Sequence, residues 1–286
     1  MTNNKNLKTP LRYPGGKSRA VKTLIPQFPL NISEYRECFL GGGSVAIAFT
    51  KENPGIPVWV NDLYWPLYNF WINLQLSGQE LQERLLELKS NNSNPDLAKD
   101  LFLSSKDIIN SVDASFFDKA VAFYIVNKCS FSGLTESSSF SKQASVSNFS
   151  VNGISKLFEY SKLIKNWKIT NLSYEELVYT PSPVDCFWFL DPPYDIKDNL
   201  YGNKGSMHKG FNHKEFHSVV TQNIKDNWMI TYNDNETLNE WYKDYYCKSW
   251  SLTYTMRSTG EYTIEQKKRL ELLITNYEVR TQTVFE

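Results

Sequence analysis

The chain has 286 residues, 41% of them hydrophobic and 15% aromatic, which suits one large domain or one domain carrying an insert around a sizeable core. No apolar run approaches the roughly 18–20 residues that span a bilayer, and the polar N-terminus lacks a signal-peptide pattern, so a cytoplasmic protein is expected. Lysine plus arginine (31) balance aspartate plus glutamate (31), which argues against a uniformly basic nucleic-acid binder, and the widely spaced Cys38, Cys129, Cys186 and Cys247 form no Cys-x-x-Cys pair, so neither a zinc site nor a disulfide framework is indicated.

Charge is nevertheless unevenly placed. Residues 1–30 hold Lys5, Lys8, Arg12, Lys17, Arg19 and Lys22 and no acid, and 127–168 hold six lysines against Glu136 and Glu159. Residues 197–214 add four lysines against Asp198, while acids concentrate in 80–118. A molecule with a basic face and an acidic back is expected.

In chain order, the first motif is Leu-Arg-Tyr-Pro-Gly-Gly-Lys-Ser-Arg over 11–19. Pro-Gly-Gly forbids regular structure and lets backbone approach a ligand closely. Residues 35–49 then read as a short strand, a glycine loop and an apolar helix, with Gly41-x-Gly43-x-x-Ala46 satisfying a dinucleotide-type fingerprint. Asp62 follows 21 residues after Gly41, at the end of a second strand over 58–62. An acid at that distance suits the hydroxyls of an adenosine ribose, whether of NAD or of S-adenosylmethionine.

From 66 to about 126 the pattern is helical, broken at Asn91–Pro95, with further helices over 97–110 and 115–127. Residues 128–150 are rich in serine and punctuated by Phe131, Phe140 and Phe149, which predicts a loop pinned by its phenylalanines. A strand and a short helix occupy 167–178. The run Phe187-Trp188-Phe189-Leu190 is a buried parallel strand, stopped at once by Asp191-Pro192-Pro193-Tyr194. Neither proline has an N–H, and each holds the preceding residue extended. The loop therefore offers a carboxylate, a Pro192 carbonyl that no helix claims and an aromatic ring, which together suit a flat heterocycle bearing an amino group. A polar loop runs over 201–211, and two more strands lie at 228–232 and 270–276. His213 and His217 stand four apart, but with no clear third ligand no metal site is expected.

Asp191-Pro192-Pro193-Tyr194 is similar to the catalytic motif of DNA methyltransferases that act on exocyclic amino groups. Tyr13-Pro-Gly-Gly-Lys17 resembles the N-terminal lysine motif of the Dam-like adenine methyltransferases, with tyrosine where many members have tryptophan. Phe39-x-Gly41-x-Gly43 resembles their cofactor loop. Residues 123–133 resemble their Asn-x-x-Cys-Phe-x-Gly region, with Ser132 in place of the more usual asparagine. The motif order marks the group whose target-recognition segment precedes the catalytic motif, and the resemblance covers nearly the whole chain.

The resemblance implies a doubly wound, mainly parallel α/β sheet. The catalytic domain would comprise 1–71 and 166–286, and a mostly helical target-recognition domain 72–165. It implies methyl transfer from S-adenosylmethionine to the amino group of a flipped-out adenine in double-stranded DNA. Asp191, Pro192, Pro193 and Tyr194 would be catalytic. Tyr13, Lys17, Phe39, Gly41, Gly43, Asp62 and Asp191 would bind the cofactor, and Arg12, Lys128, Ser132 and Lys142 the DNA. A restriction endonuclease acting on the same site, without direct contact, is the partner it allows. The rival readings are an NAD-dependent oxidoreductase on the same glycine loop, an inactive DNA-binding relative, and a methyltransferase acting on cytosine amino groups, RNA or a protein glutamine. The oxidoreductase leaves the Asp-Pro-Pro-Tyr and lysine motifs unexplained.

Overall fold

The computed structural model describes residues 7–131, 138–182, 185–194, 210–252 and 269–279. Its centre is a seven-stranded sheet. The strands are β1 (Glu34–Glu37), β2 (Val58–Asn61), β3 (Lys168–Thr170), β4 (Cys186–Leu190), β5 (Asn227–Asn233), β6 (Tyr246–Leu252) and β7 (Arg269–Thr275). They lie in the order β3-β2-β1-β4-β5-β7-β6. The first five run parallel, and β7 slots antiparallel between β5 and β6. Between β1 and β4 the strand order reverses direction, and such a switch point opens a crevice at the carboxyl ends of the strands.

The strand sequences explain the layers. β2 and β4 are buried at every position, as strands covered on both faces must be. Tyr35, Phe187, Phe189, Met229 and Leu273 point to one core, while Trp188, Trp228, Ile230, Leu272 and Ile274 point to the other. Burying each such side chain contributes about 1.5–3 kcal/mol. The second core is closed by α9 (Tyr174–Val178) and by the helices His213–Asn223 and Glu236–Trp241. A capping box at Ser173 and Glu176 starts α9.

The first core is closed by α1 (Val21–Leu24), α2 (Ser44–Glu52), α3 (Trp65–Asn91) and α5 (Phe116–Cys129). Helices α4 (Pro95–Asn110), α6 (Lys142–Ser147), α7 (Val151–Ile154) and α8 (Leu157–Leu163) extend the same layer outwards. Caps set several starts: the Asn94 side chain accepts from Asp96 and Leu97 N–H, and that of Ser115 from Asp118 N–H. α3 leaves helical geometry once, at Ser77 (φ −129°, ψ 32°). The next residue, Gly78, faces Ser161 of α8 so closely that an added Cβ would lie 2.2 Å from the Ser161 Cβ.

α3 begins at Trp65, runs across the expected 71/72 boundary and shares one core with the sheet. One expectation changes. The serine-rich segment is not simply a pinned loop, because Ser141 and Ser150 are N-caps that start α6 and α7. Phe149 is fully buried and Phe140 packs on Phe102 at 5.6 Å, but Phe131 is half exposed, so two phenylalanines anchor the segment rather than three. Ser132, Gly133 and most of the 197–212 loop lie outside the described residues.

Candidate active site

The loop after β4 and an N-terminal turn meet at the switch point. After β4 the chain turns out at Asp191, with Pro192 and Tyr194 buried and Pro193 half-buried. Facing it is the Tyr13–Lys17 turn, in which the Gly16 N–H donates to the Tyr13 carbonyl at 3.1 Å and Gly15 takes a positive φ of 70°. This turn buries Lys17, whose Nζ donates to Asp191 Oδ1 at 2.7 Å, to Oδ2 at 2.8 Å and to the Gly15 carbonyl at 3.0 Å. Thr231 of β5 donates its hydroxyl to Asp191 Oδ1 at 2.7 Å. The Lys17 ammonium also stands 4.7 Å from the centre of the Tyr194 ring. The Tyr194 hydroxyl donates to the Glu271 carboxylate of β7.

The glycine loop after β1 forms the adjoining wall. Gly41 (φ 50°) and Gly43 (φ 66°) adopt left-handed geometry. They are also hemmed in: a Cβ on Gly41 would lie 3.0 Å from the Tyr13 ring, and one on Gly43 2.7 Å from Trp71 of α3. The Trp71 indole donates to the Gly41 carbonyl at 3.1 Å. Asp62, just past β2, accepts the Gly41 N–H at 2.9 Å and the Tyr64 N–H at 3.0 Å. Burial pushes the Asp62 carboxyl up to about 6, although both hydrogen bonds pull it down.

Sequence reasoning passed over Glu37, the last residue of β1. Its carboxylate is fully buried, accepts the Tyr35 hydroxyl at 2.5 Å, and is held well above the usual carboxylate range, chiefly by desolvation. The available signal was an acid ending a buried strand directly before a glycine loop.

The loops enclose a cavity of about 400 Å³ lined by Tyr13, Lys17, Glu37, Asp62 and Asp191, among others. Phe39, Tyr174 and Phe211 supply an aromatic wall, their ring centres 5.7–5.8 Å apart. Glu37, Asp62, Glu175, Asp191 and Glu215 make the lining rich in acceptors, beside the Lys17 ammonium and the flat rings. Such a lining suits a ligand that brings hydroxyl groups, a cationic centre and a heterocycle. The Phe39, Gly41, Gly43 and Asp191 side of the expected site thus converges with Tyr13, Lys17 and Asp62. Tyr194 touches it through Lys17.

The expected DNA contacts are dispersed. The Arg12 guanidinium donates to the Ser130 carbonyl at 2.8 Å and the Phe131 carbonyl at 3.2 Å, and the Arg12 backbone exchanges hydrogen bonds with the Asn127 side chain. It clamps the end of α5. Lys128 is buried against the Tyr124 ring, and burial together with Arg12 lowers its pKa to about 8. Lys142 is exposed at the start of α6. His213 Nδ1 hydrogen-bonds the Tyr232 hydroxyl at 2.9 Å, while the His217 ring packs edge-on against Tyr242, so the two histidines serve different neighbours. Among the described residues no cluster of three His, Cys, Asp or Glu could hold a metal, and no helix is long and apolar enough to cross a membrane.

Comparison with known proteins adds two findings. A modification methylase, StsI of Streptococcus sanguinis, is 23% identical over 305 aligned positions covering 97% of this chain. The chain spans 44% of the length of that relative. The model of the D12 class N6 adenine-specific DNA methyltransferases matches residues 13–256, from the tyrosine of the lysine motif through the glycine loop and the Asp-Pro-Pro-Tyr loop, and the chain belongs to that family.

Proposed function

We propose that the chain transfers the methyl group of S-adenosylmethionine to the exocyclic amino group of adenine within a short DNA sequence, as the modification arm of a restriction–modification system. The observation that carries this is the convergence of the glycine loop, Asp62 and the Asp191 loop on one cavity at the sheet's switch point. The order of motifs, with the helical segment ahead of the catalytic loop, favours the Dam-like subclass.

The acceptor-rich lining fits the methyl donor. Asp62 would take the ribose hydroxyls, Phe39 and Tyr13 would pack on its flat and apolar parts, and the glycine loop would allow close backbone approach. When bound, S-adenosylmethionine supplies an electrophilic methyl on a sulfonium. The chain's own groups handle the amino nitrogen. That nitrogen is a poor nucleophile because its lone pair delocalises into the ring. The Asp191 carboxylate and the Pro192 carbonyl, accepting its two N–H groups, favour a pyramidal nitrogen with an available lone pair. Thr231 and Lys17 both donate to Asp191 Oδ1 and Lys17 also to Oδ2, so Oδ2, with a single donor, keeps a lone pair for the amino group. As positive charge develops on nitrogen, these fixed acceptors stabilise it without reorganising. Tyr194 is the stacking partner for a base taken out of the duplex.

Residues 72–165 would carry target recognition, with exposed Lys142 on a phosphate, Arg12 holding the 127–131 segment in place, and Ser132 and Lys128 near the DNA. The test is transfer of radiolabelled methyl from S-adenosylmethionine into unmethylated DNA, followed by nucleoside digestion. N6-methyladenine is the expected product. Asp191→Ala should slow transfer by at least ~100-fold, with DNA affinity much less changed. A label on cytosine, or an undiminished rate in the variant, would refute the assignment.

A further inference from the structure

β7 reads Leu270-Glu271-Leu272-Leu273-Ile274, one charge in an apolar run. Glu271 lies on an interior strand, opposite Asn233 of β5 and Trp250 of β6, and is 1% exposed. Burying a carboxylate is unfavourable unless partners compensate. Leu273, two residues along on the same face, shows what packing alone would select there. An apolar side chain at 271 would therefore serve the fold better than an acid, and the reason for the acid lies in what it holds.

What it holds is the last residue of the catalytic loop: the Tyr194 hydroxyl donates to Glu271 Oε2. The tetrapeptide is thus aimed by side chains from two strands beyond its own. Thr231 of β5 fixes Asp191, and Glu271 of β7 fixes Tyr194. A phenol ring tethered through Cβ at one end and through its hydroxyl at the other keeps one tilt. Its face is then set before any base arrives, which lowers the ordering needed in the reaction. Hydrogen bonding to a carboxylate also enriches the ring in electron density. That strengthens its hold on the Lys17 ammonium 4.7 Å away, and Lys17 in turn grips both oxygens of Asp191.

The geometry points to Glu271 as a positioning residue for methyl transfer, acting through Tyr194 on the stacking face and on the Lys17–Asp191 pair. This rests on the function proposed above. The experiment measures single-turnover transfer, the KM for S-adenosylmethionine and the melting temperature for wild type, Glu271→Leu, Glu271→Gln, Tyr194→Phe and the Glu271→Leu/Tyr194→Phe double variant. Glu271→Leu and Tyr194→Phe should each slow single turnover by roughly 10-fold. KM should stay within about 2-fold, because neither group binds the donor. Glu271→Gln should recover most of the rate, since its amide oxygen still accepts the hydroxyl. The double variant should be no slower than either single variant, as expected when two residues act through one contact. Losses that multiply in the double variant, or a wild-type rate in Glu271→Leu, would overturn the proposal. Should Glu271→Leu fail to fold, Tyr194→Phe decides alone, and a wild-type rate there overturns it. A wild-type chain that transfers no methyl group to DNA overturns the function itself and this role with it.

Discussion

Asp62 should make binding of the methyl donor a proton-releasing event. Its carboxyl is 8% exposed, and burial outweighs two backbone hydrogen bonds to lift its pKa from 3.8 to about 6. A shift of about two units corresponds to roughly 3 kcal/mol of preference for the neutral form. Between those two pH values the folded chain holds more protons than the unfolded chain. The stability contributed by Asp62 is therefore present below 3.8 and lost as pH rises through about 6. A ribose diol donating to the carboxylate favours the charged form and draws the pKa back down. Affinity for S-adenosylhomocysteine should then rise with pH below about 6, by up to roughly tenfold per unit and roughly 100-fold in all, and level off above it. Calorimetry in paired buffers of different ionisation enthalpy counts the protons directly. Near pH ~5 the wild type should release close to one proton more than Asp62→Asn. The comparison with this variant is essential because Glu37 lines the same cavity and is also held above its usual range. An affinity that does not change with pH, or equal proton release in both proteins, would refute the ribose role of Asp62.

Further outcomes follow from packing and charge. Gly78→Ala drives a methyl into Ser161 and should destabilise the chain by about 1–3 kcal/mol; differential scanning fluorimetry should show Ser161→Gly restoring part of the loss, and full additivity would mean the contact is not the cause. DNA affinity should fall linearly with log salt, at a slope near −0.9 per phosphate contact. Lys142→Ala should reduce that slope by about 1, while a flat response in the wild type would mean that the exposed lysines are only a solvated surface.

The parallel half of the sheet was legible because its signals are local. The apolar run of β4 ends in prolines that cannot extend a strand, the chain after β1 runs into the glycines at 41–43, and Asp62 ends the next strand along. What was hidden depends on partners distant in sequence. A lysine in a basic stretch reads the same whether it faces solvent, as Lys142 does, or is buried on Tyr124, as Lys128 is. Arg12 reads as a free cation until Ser130 and Phe131 turn their carbonyls toward it. Glu37 and Glu271 share their strand faces with the buried Tyr35 and Leu273, and the partner that holds Glu271, Tyr194, lies 77 residues away in the chain. The insertion of β7 between β5 and β6 has no local signature at all, because antiparallel register is decided by long-range pairing.

Trp71 has a bearing on how this protein could be re-engineered. It reaches from α3 under the glycine loop, bonded to the Gly41 carbonyl and pressed against Gly43. A few turns later the same helix lies against α8, at Gly78 and Ser161. Specificity grafts usually assume a seam, a place where a recognition module can be cut out and another spliced in. Here the helix beneath the glycine loop runs on past residue 71, bends at Ser77, and packs its later residues Leu81 and Leu85 into the same core as the sheet. A transplant joined at 71/72 would keep Trp71 but sever α3 directly after it, leaving the floor of the glycine loop on a cut helix end. One that keeps α3 through Leu74 and joins at the Ser77 bend, where the helix already breaks its geometry, leaves that floor standing.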